Sequence, residues 1–115
     1  MTILDSLLSL VPFGFLFAHM SFALPVKRLY ESDILVAFHH PRPSYPFHVL
    51  LVPKRAVRSL MELSSSDSQF LIELMETVQS LVKQFDLQAK GYRLIVNGGP
   101  NQEFPQLHFH LVSDA

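Results

Sequence analysis

The chain contains one segment with a strict two-residue alternation, Gln106-Leu107-His108-Phe109-His110-Leu111-Val112. A β-strand repeats every two residues, so this segment predicts a strand whose alternate side chains point to opposite faces of a sheet. One face then carries Gln106, His108 and His110, and the other face is apolar. Polar side chains in a row on a hydrophobic strand need partners, and a ligand-binding cleft can supply them. The segment is therefore the first candidate for a ligand-binding or catalytic site.

The composition limits the class of protein. A length of 115 residues predicts one domain, and a formal net charge of -1 argues against broad electrostatic binding to nucleic acid. Because cysteine is absent, disulfides, thiolate chemistry and cysteine-based zinc sites are excluded, and we expect a cytoplasmic protein. Hydrophobic residues make up 49% and charged residues 17%, which indicates a buried surface beyond the domain's own core, such as a dimer interface.

The first 24 residues form an apolar segment that we separate from a domain over residues 25–115. From Leu7 to Leu24 the chain has 18 residues without a formal charge, the lower limit of a membrane span. Pro12, Gly14 and His19 argue against a span, and the first residues lack the basic charge of a secretory signal. We expect a short helix and a segment packed on the core or on a partner. Membrane contact through residues 7–24 is the alternative.

The rest of the chain predicts an α+β architecture, a mainly antiparallel five-stranded sheet with one long helix. Apolar residues at steps of three and four predict an amphipathic helix from about Ser66 to Phe85, with serines and Asp67 at its start. Prolines interrupt the chain between the second and third strands. The predicted strands cover residues 28–31, 34–38, 48–52, 92–97 and the final alternating segment.

Four segments together resemble the histidine triad (HIT) family. The order is a strand and a proline-rich loop, a strand ending in Pro-Lys, a strand ending in Asn and glycine, and a His-x-His strand. These segments are residues 37–48, 49–54, 91–99 and 106–112. The resemblance covers about Leu24 to Val112, and its strength lies in the order and spacing of the four segments together.

The resemblance implies a nucleotide-binding hydrolase or nucleotidyl transferase. Members of the family cleave at the α-phosphate of nucleoside phosphoramidates or dinucleoside polyphosphates, through a nucleotidyl-histidine intermediate, and they pair as homodimers through the long helix and the sheet edge. By this resemblance His108 is the nucleophile, His110 binds phosphate oxygens, and His48 and Asn97 support the pocket. Gln106 is expected to hold the phosphate or to support His108. A neutral imidazole suits this role near pH 7 when one nitrogen donates a hydrogen bond and the other is available for attack. No metal or other cofactor is expected.

The chain departs from the family pattern at three positions of the predicted site. Gln106 stands where the family has the first histidine of its triad, and His40 replaces a ribose-binding aspartate. Glu103 stands where many members have a small hydroxyl residue, and its carboxylate could donate a proton or repel a phosphate. These departures keep open a second function, a non-catalytic nucleotide-binding or adaptor protein.

Each predicted site residue also has a purely structural interpretation. The two histidines of the final strand could be sheet-surface residues, and Asn97 before Gly98 could only shape a turn. Phe38 belongs to the core first and could also contact a base, whereas His40 in the proline-rich loop could be exposed. His48, His108 and His110 could together bind zinc, but a nucleophilic histidine has to be metal-free.

Overall fold

The computed structural model describes residues 27–115. The apolar segment Leu7 to Leu24 lies outside the described residues, so the choice between core packing and membrane contact stays a prediction. Within residues 27–115, no helix combines the length and the apolar character that crossing a membrane requires.

Five strands form one antiparallel sheet in the order β1-β2-β3-β5-β4. The elements are β1 (Arg28–Glu31), β2 (Leu35–His39), β3 (Phe47–Pro53), α1 (Ser68–Gln84), α2 (Leu87–Lys90), β4 (Arg93–Val96) and β5 (Phe109–Ser113). Short 3₁₀ turns cover Leu60–Glu62, Ser65–Asp67 and Gly99–Asn101. The predicted α+β architecture is confirmed.

The ends of α1 follow from local hydrogen bonds. The hydroxyl of Ser64 accepts from the Ser66 N–H, and the Asp67 carboxylate accepts from the Ser64 N–H at 3.0 Å, which forms a capping box. The first turn after this box is 3₁₀, so the α-helix begins at Ser68 rather than at Ser66 as predicted. It ends before Asp86, which has a positive φ of 56° that helical residues do not adopt.

The core lies between α1 and one face of the sheet. Phe70, Leu74 and Leu81 of α1 are buried against odd-numbered residues of the sheet. These are Leu35, Ala37, Val49, Leu51, Phe109 and Leu111, together with Leu107 just before β5. Leu71, which the helical pattern assigned to the apolar face, is instead 37% exposed.

The opposite face of the sheet carries the even-numbered side chains of β2, β3 and β5 and the odd-numbered side chains of β4. Phe38 lies opposite Leu50, Leu50 lies opposite His110, and His110 lies opposite Ile95. Residues opposite one another in adjacent strands point to the same side of a sheet. The candidate site residues on these strands therefore lie on the face away from α1.

Candidate active site

His108 and His110 meet at the start of β5, as the alternation predicts. His108 directly precedes the strand and is only 6% exposed, while His110 is half-buried. Their ring centroids lie 5.1 Å apart, and the ring of Phe104 approaches His108 edge-on at 6.2 Å. The strand itself begins only at Phe109, so the predicted polar row does not extend back along a continuous strand to Gln106.

The hydrogen bonding of His108 fixes its tautomer. Its Nδ1 lies 2.8 Å from the main-chain oxygen of Gln106. A carbonyl oxygen can only accept, so Nδ1 carries the hydrogen and donates it. The lone pair of the neutral ring is therefore on Nε2. This is the protonation pattern that a nucleophilic imidazole requires.

His48 and His110 form a second chain of hydrogen bonds with the opposite result. The Ser44 main-chain N–H donates to His48 Nδ1 at 3.0 Å, so the hydrogen of a neutral His48 is on Nε2. That Nε2 lies 2.8 Å from His110 Nδ1 and donates to it. The hydrogen of His110 is therefore on its own Nε2. His108 thus presents an Nε2 lone pair to the site, whereas His110 presents an Nε2–H donor.

Burial keeps both members of this second pair neutral near pH 7. Desolvation is the main cause that lowers the pKa of His48 to about 4, and the nearby His40 lowers it further. Desolvation likewise lowers the pKa of His110 to about 4, with smaller contributions from His108, His48 and His40. A neutral His110 donates a hydrogen bond without introducing a positive charge among its neighbours.

The structure brings His40 into the same cluster and does not leave it exposed. Its ring centroid lies 4.4 Å from that of His48, and its ring is stacked at 6.2 Å from that of His110. Its Nδ1 accepts from the Arg42 N–H at 2.9 Å, which puts the hydrogen of a neutral ring on Nε2. Phe38 is 2% exposed and lies in the row of Leu50 and His110, so its core interpretation is confirmed and its side chain is on the face of the histidines.

Gln106 differs from the prediction. Its side chain is 0% exposed, and its amide bonds to the main chain of residues 53–57. The amide therefore does not extend the histidine row into the site. What Gln106 contributes next to His108 is its main-chain oxygen.

The two remaining predicted residues lie in the chain between β4 and β5. Asn97 is half-buried and directly follows β4, one residue beyond the last pair of the β4–β5 ladder, Val96 with Phe109. Glu103 is exposed. The side chain of Gln102 fastens this segment, since its Nε2 donates to the carbonyl oxygens of Arg58 and Phe104 at 2.7 Å each.

Sequence reasoning missed the residues that support His48. Ser44 contributes a main-chain N–H, which leaves no mark in a sequence except the proline-rich loop that holds it. Tyr45 packs edge-on against His48 at 5.4 Å, and the Arg93 guanidinium lies 5.5 Å from the centre of the Tyr45 ring. Asp114 in turn pairs with Arg93 at 3.2 Å. An aromatic residue three positions before His48 was the available signal for this contact.

The zinc alternative finds no geometric support in the described part of the chain. Among residues 27–115, no group of three or more His, Asp or Glu side chains is arranged to hold a metal ion. His48 Nε2 and His110 Nδ1 are also bonded to each other, so these two nitrogens do not converge on a common ion.

Known proteins resemble the chain in sequence and in fold. An uncharacterized HIT-like protein of Buchnera aphidicola is 33% identical over 91 residues, covering 77% of this chain and 81% of its own length. A HIT-like protein of Synechococcus elongatus is 34% identical over 77% of this chain and 79% of its own length. Among solved structures, a HIT family hydrolase from Legionella pneumophila gives a TM-score of 0.78 at 26% identity, covering 86% of this chain and 90% of that one. A HIT family hydrolase from Clostridium thermocellum gives a TM-score of 0.79 at 28% identity, covering 91% of this chain and 93% of that one.

The family assignment rests on both the motif order and these similarities. A family model described as "HIT domain" matches residues 22–115, which is most of the chain. The two solved HIT family hydrolases share the fold over 86% and 91% of this chain. The chain therefore belongs to the HIT domain family.

Proposed function

We propose that this protein is a nucleotide hydrolase or nucleotidyl transferase that cleaves at the α-phosphate through a nucleotidyl-histidine on His108. The observation that carries the proposal is the hydrogen bond of 2.8 Å from His108 Nδ1 to the Gln106 main-chain oxygen, which puts the ring's lone pair on Nε2. The solved relatives named HIT family hydrolases support a hydrolytic function. The substrate classes that fit are a nucleoside phosphoramidate and a dinucleoside polyphosphate.

The proposed reaction has two displacements at phosphorus. The Nε2 lone pair of His108 forms a bond to phosphorus, and the bond to the leaving group breaks with its electron pair. The leaving atom then takes a proton from water. The imidazole now carries a positive charge, which the Gln106 carbonyl oxygen stabilises through Nδ1–H. In the second step the oxygen of water or of another acceptor attacks phosphorus, and the P–N bond electrons return to Nε2. The proton that the attacking O–H group loses neutralises the hydroxide left when the leaving atom took its proton from water.

The neighbouring histidines bind the phosphate in this scheme. His110 donates through Nε2–H to a phosphate oxygen, because His48 occupies its Nδ1. The nucleoside then lies along the row of Phe38 and Leu50, with His40 and Asn97 as further contacts. Glu103 is assigned to the leaving-group side of the same pocket, on the loop between β4 and β5.

The proposal is tested by measuring AMP release from adenosine 5′-phosphoramidate and from diadenosine polyphosphates. We expect His108→Ala to lower turnover on the order of 10³-fold or more, with the fold intact by circular dichroism. His39→Ala is the matched control, because His39 lies in β2 with its ring against Phe47 and Phe85 rather than among the site histidines. Equal turnover by the parent and His108→Ala would exclude the mechanism.

A second function, non-catalytic nucleotide binding, has one observation in its favour. Of the three side chains at the motif positions 106, 108 and 110, only the two histidines face the site, because the Gln106 amide is bonded to the main chain of residues 53–57. This function predicts saturable binding of AMP without any AMP release. Detection of a nucleotidylated His108 by mass spectrometry would exclude it.

We also propose that two copies of the chain pair through α1 and the β4 edge of the sheet. Three apolar side chains of α1 are exposed within one chain: Leu71 at 37%, Ile72 at 61% and Met75 at 44%. Among the strands of residues 27–115, β4 lies at an edge of the sheet, and its Leu94, Ile95 and Val96 are only half-buried. An apolar helix patch and an edge strand of this kind suit a second copy of the same surface.

A further inference from the structure

The amide of Gln106 is fully matched by three main-chain groups. Its Oε1 accepts from the Val57 N–H at 2.9 Å, and its Nε2 donates to the carbonyl oxygens of Arg55 and Pro53 at 2.8 and 3.1 Å. The side chain is 0% exposed. Unpaired polar groups at such a depth are costly, so these bonds hold the segment 53–57 against residue 106.

An amide fits this place better than the imidazole of the usual family motif. A carboxamide offers two N–H donors and an acceptor oxygen, and the three main-chain groups require two donors and one acceptor. A neutral imidazole has one donor and one acceptor, so it can satisfy at most two of them. Gln106 is therefore matched to the path that residues 53–57 follow in this chain.

The main chain at residue 106 is held on both sides of its carbonyl group. The Leu107 N–H donates to the Val57 carbonyl oxygen at 2.6 Å, and the Gln106 side chain fixes the residue itself. The carbonyl group between these two attachments accepts from His108 Nδ1 at 2.8 Å. The peptide plane that orients the His108 ring is thus fastened to the segment after β3.

We infer that Gln106 is a positioning residue: its side-chain amide clamps residues 53–57 so that its main-chain oxygen holds His108 with the hydrogen on Nδ1. This inference rests on the proposed nucleophilic role of His108. It assigns the substitution in the family motif a function in this chain, which is to orient the nucleophile without contacting the substrate.

The test compares Gln106→Met, which forms none of the three bonds, with Gln106→His, which can form two. Thr77→Val is the matched control, because Thr77 is 4% exposed and its hydroxyl donates to the Glu73 carbonyl oxygen inside α1, with no link to His108. All variants are assayed at a temperature at which each is folded by circular dichroism. The readouts are kcat and KM for adenosine 5′-phosphoramidate and the ¹⁵N chemical shifts of the His108 ring, which report its tautomer.

For Gln106→Met we expect kcat to fall about 10-fold or more with KM within about twofold, because a misplaced nucleophile slows attack more than binding. The His108 ring nitrogens should shift toward a mixture of tautomers. Gln106→His should lie between Met and the parent, and Thr77→Val should match the parent in both readouts. Parent-like kcat and parent-like His108 shifts in Gln106→Met would overturn the inference.

The two readouts separate this inference from the proposed function. If the parent does not release AMP but His108 changes tautomer in Gln106→Met, the positioning role stands and the hydrolase proposal fails. If the parent releases AMP and the His108 shifts of Gln106→Met are unchanged, the positioning role alone fails.

Discussion

The two faces of the sheet use the same strands for different purposes. The face toward α1 has an apolar centre that is closed to solvent, with Leu35, Ala37, Val49, Leu51 and Leu111 all at 0% exposure. The other face carries His48 and His110 between buried apolar residues. Because the strand period is two, one residue can stabilise the fold while its neighbour in the chain performs chemistry. Substitutions on the two faces should therefore change different measurable quantities.

The largest effect is expected from a cavity on the helix side. Leu51→Ala should lower the free energy of unfolding by about 2–5 kcal/mol, because it removes a fully buried side chain that α1 covers. Its kcat for AMP release should stay within about twofold of the parent when the protein is folded. Urea unfolding followed by circular dichroism measures the first quantity, and a steady-state assay measures the second. A large fall in kcat at full folding would show that the two faces are coupled.

A smaller effect is expected from protonation on the histidine side. His48 and His110 have folded-state pKa values of about 4, below the ordinary value of 6.5, so the unfolded chain binds protons that the folded chain does not. Stability is then full above pH 6.5 and falls as the pH decreases toward 4, by about 1 kcal/mol per pH unit after allowance for partial exposure. Urea unfolding at a series of pH values measures the slope.

The carboxylates add to this slope only at its acidic end. Hydrogen bonding and ion pairing lower the pKa of Glu31, mainly through Lys54, and that of Asp67, mainly through Arg55, so their stabilisation is lost only below their ordinary pKa values of 4.5 and 3.8. His110→Asn removes one of the two histidines and should reduce the slope. An unchanged slope in His110→Asn would contradict the assignment to this face.

The smallest effect on a single chain is expected from the outer side of α1. Met75→Glu should change the free energy of unfolding of the monomer by less than about 0.5 kcal/mol, because the side chain is 44% exposed. In the proposed dimer, however, a charge at the centre of an apolar patch should dissociate the two copies. Sedimentation velocity of Met75→Glu, with Gln88→Glu on the exposed surface of α2 as control, measures this. A parent that sediments as a monomer at micromolar concentration would rule out the pairing.

Much of the fold could be predicted because local signals and packing agree. The serines before α1 and its repeated apolar residues place the helix within two residues of its observed start, and the proline-rich loop separates β2 from β3. The exposure of individual side chains was predicted less well, because it depends on which residues pack against them. Leu71 belongs to the apolar pattern of α1 but is 37% exposed, because Phe70 and Leu74 are the residues of this part of the helix that pack into the core.

The site was predicted less completely, for a physical reason. His108 and His110 could be found because side-chain identity and strand period carry the signal, and the resemblance to the HIT family added His48. For Gln106 the choice between holding the phosphate and supporting His108 stayed open, because its partners are main-chain groups 49 or more residues away along the chain, and any sequence supplies such groups. The same holds for Ser44, whose N–H would be present with most side chains.

Residue type and spacing alone identify the side chains that can do chemistry, and they predict that His108 and His110 stand on one face of a strand. Imidazole chemistry and a two-residue period are properties of the residues and of any extended chain. Which nitrogen of each histidine carries its hydrogen depends on the fold. His110 takes its tautomer from His48, 62 residues away along the chain, and the carbonyl group that accepts from His108 is held in place by Val57.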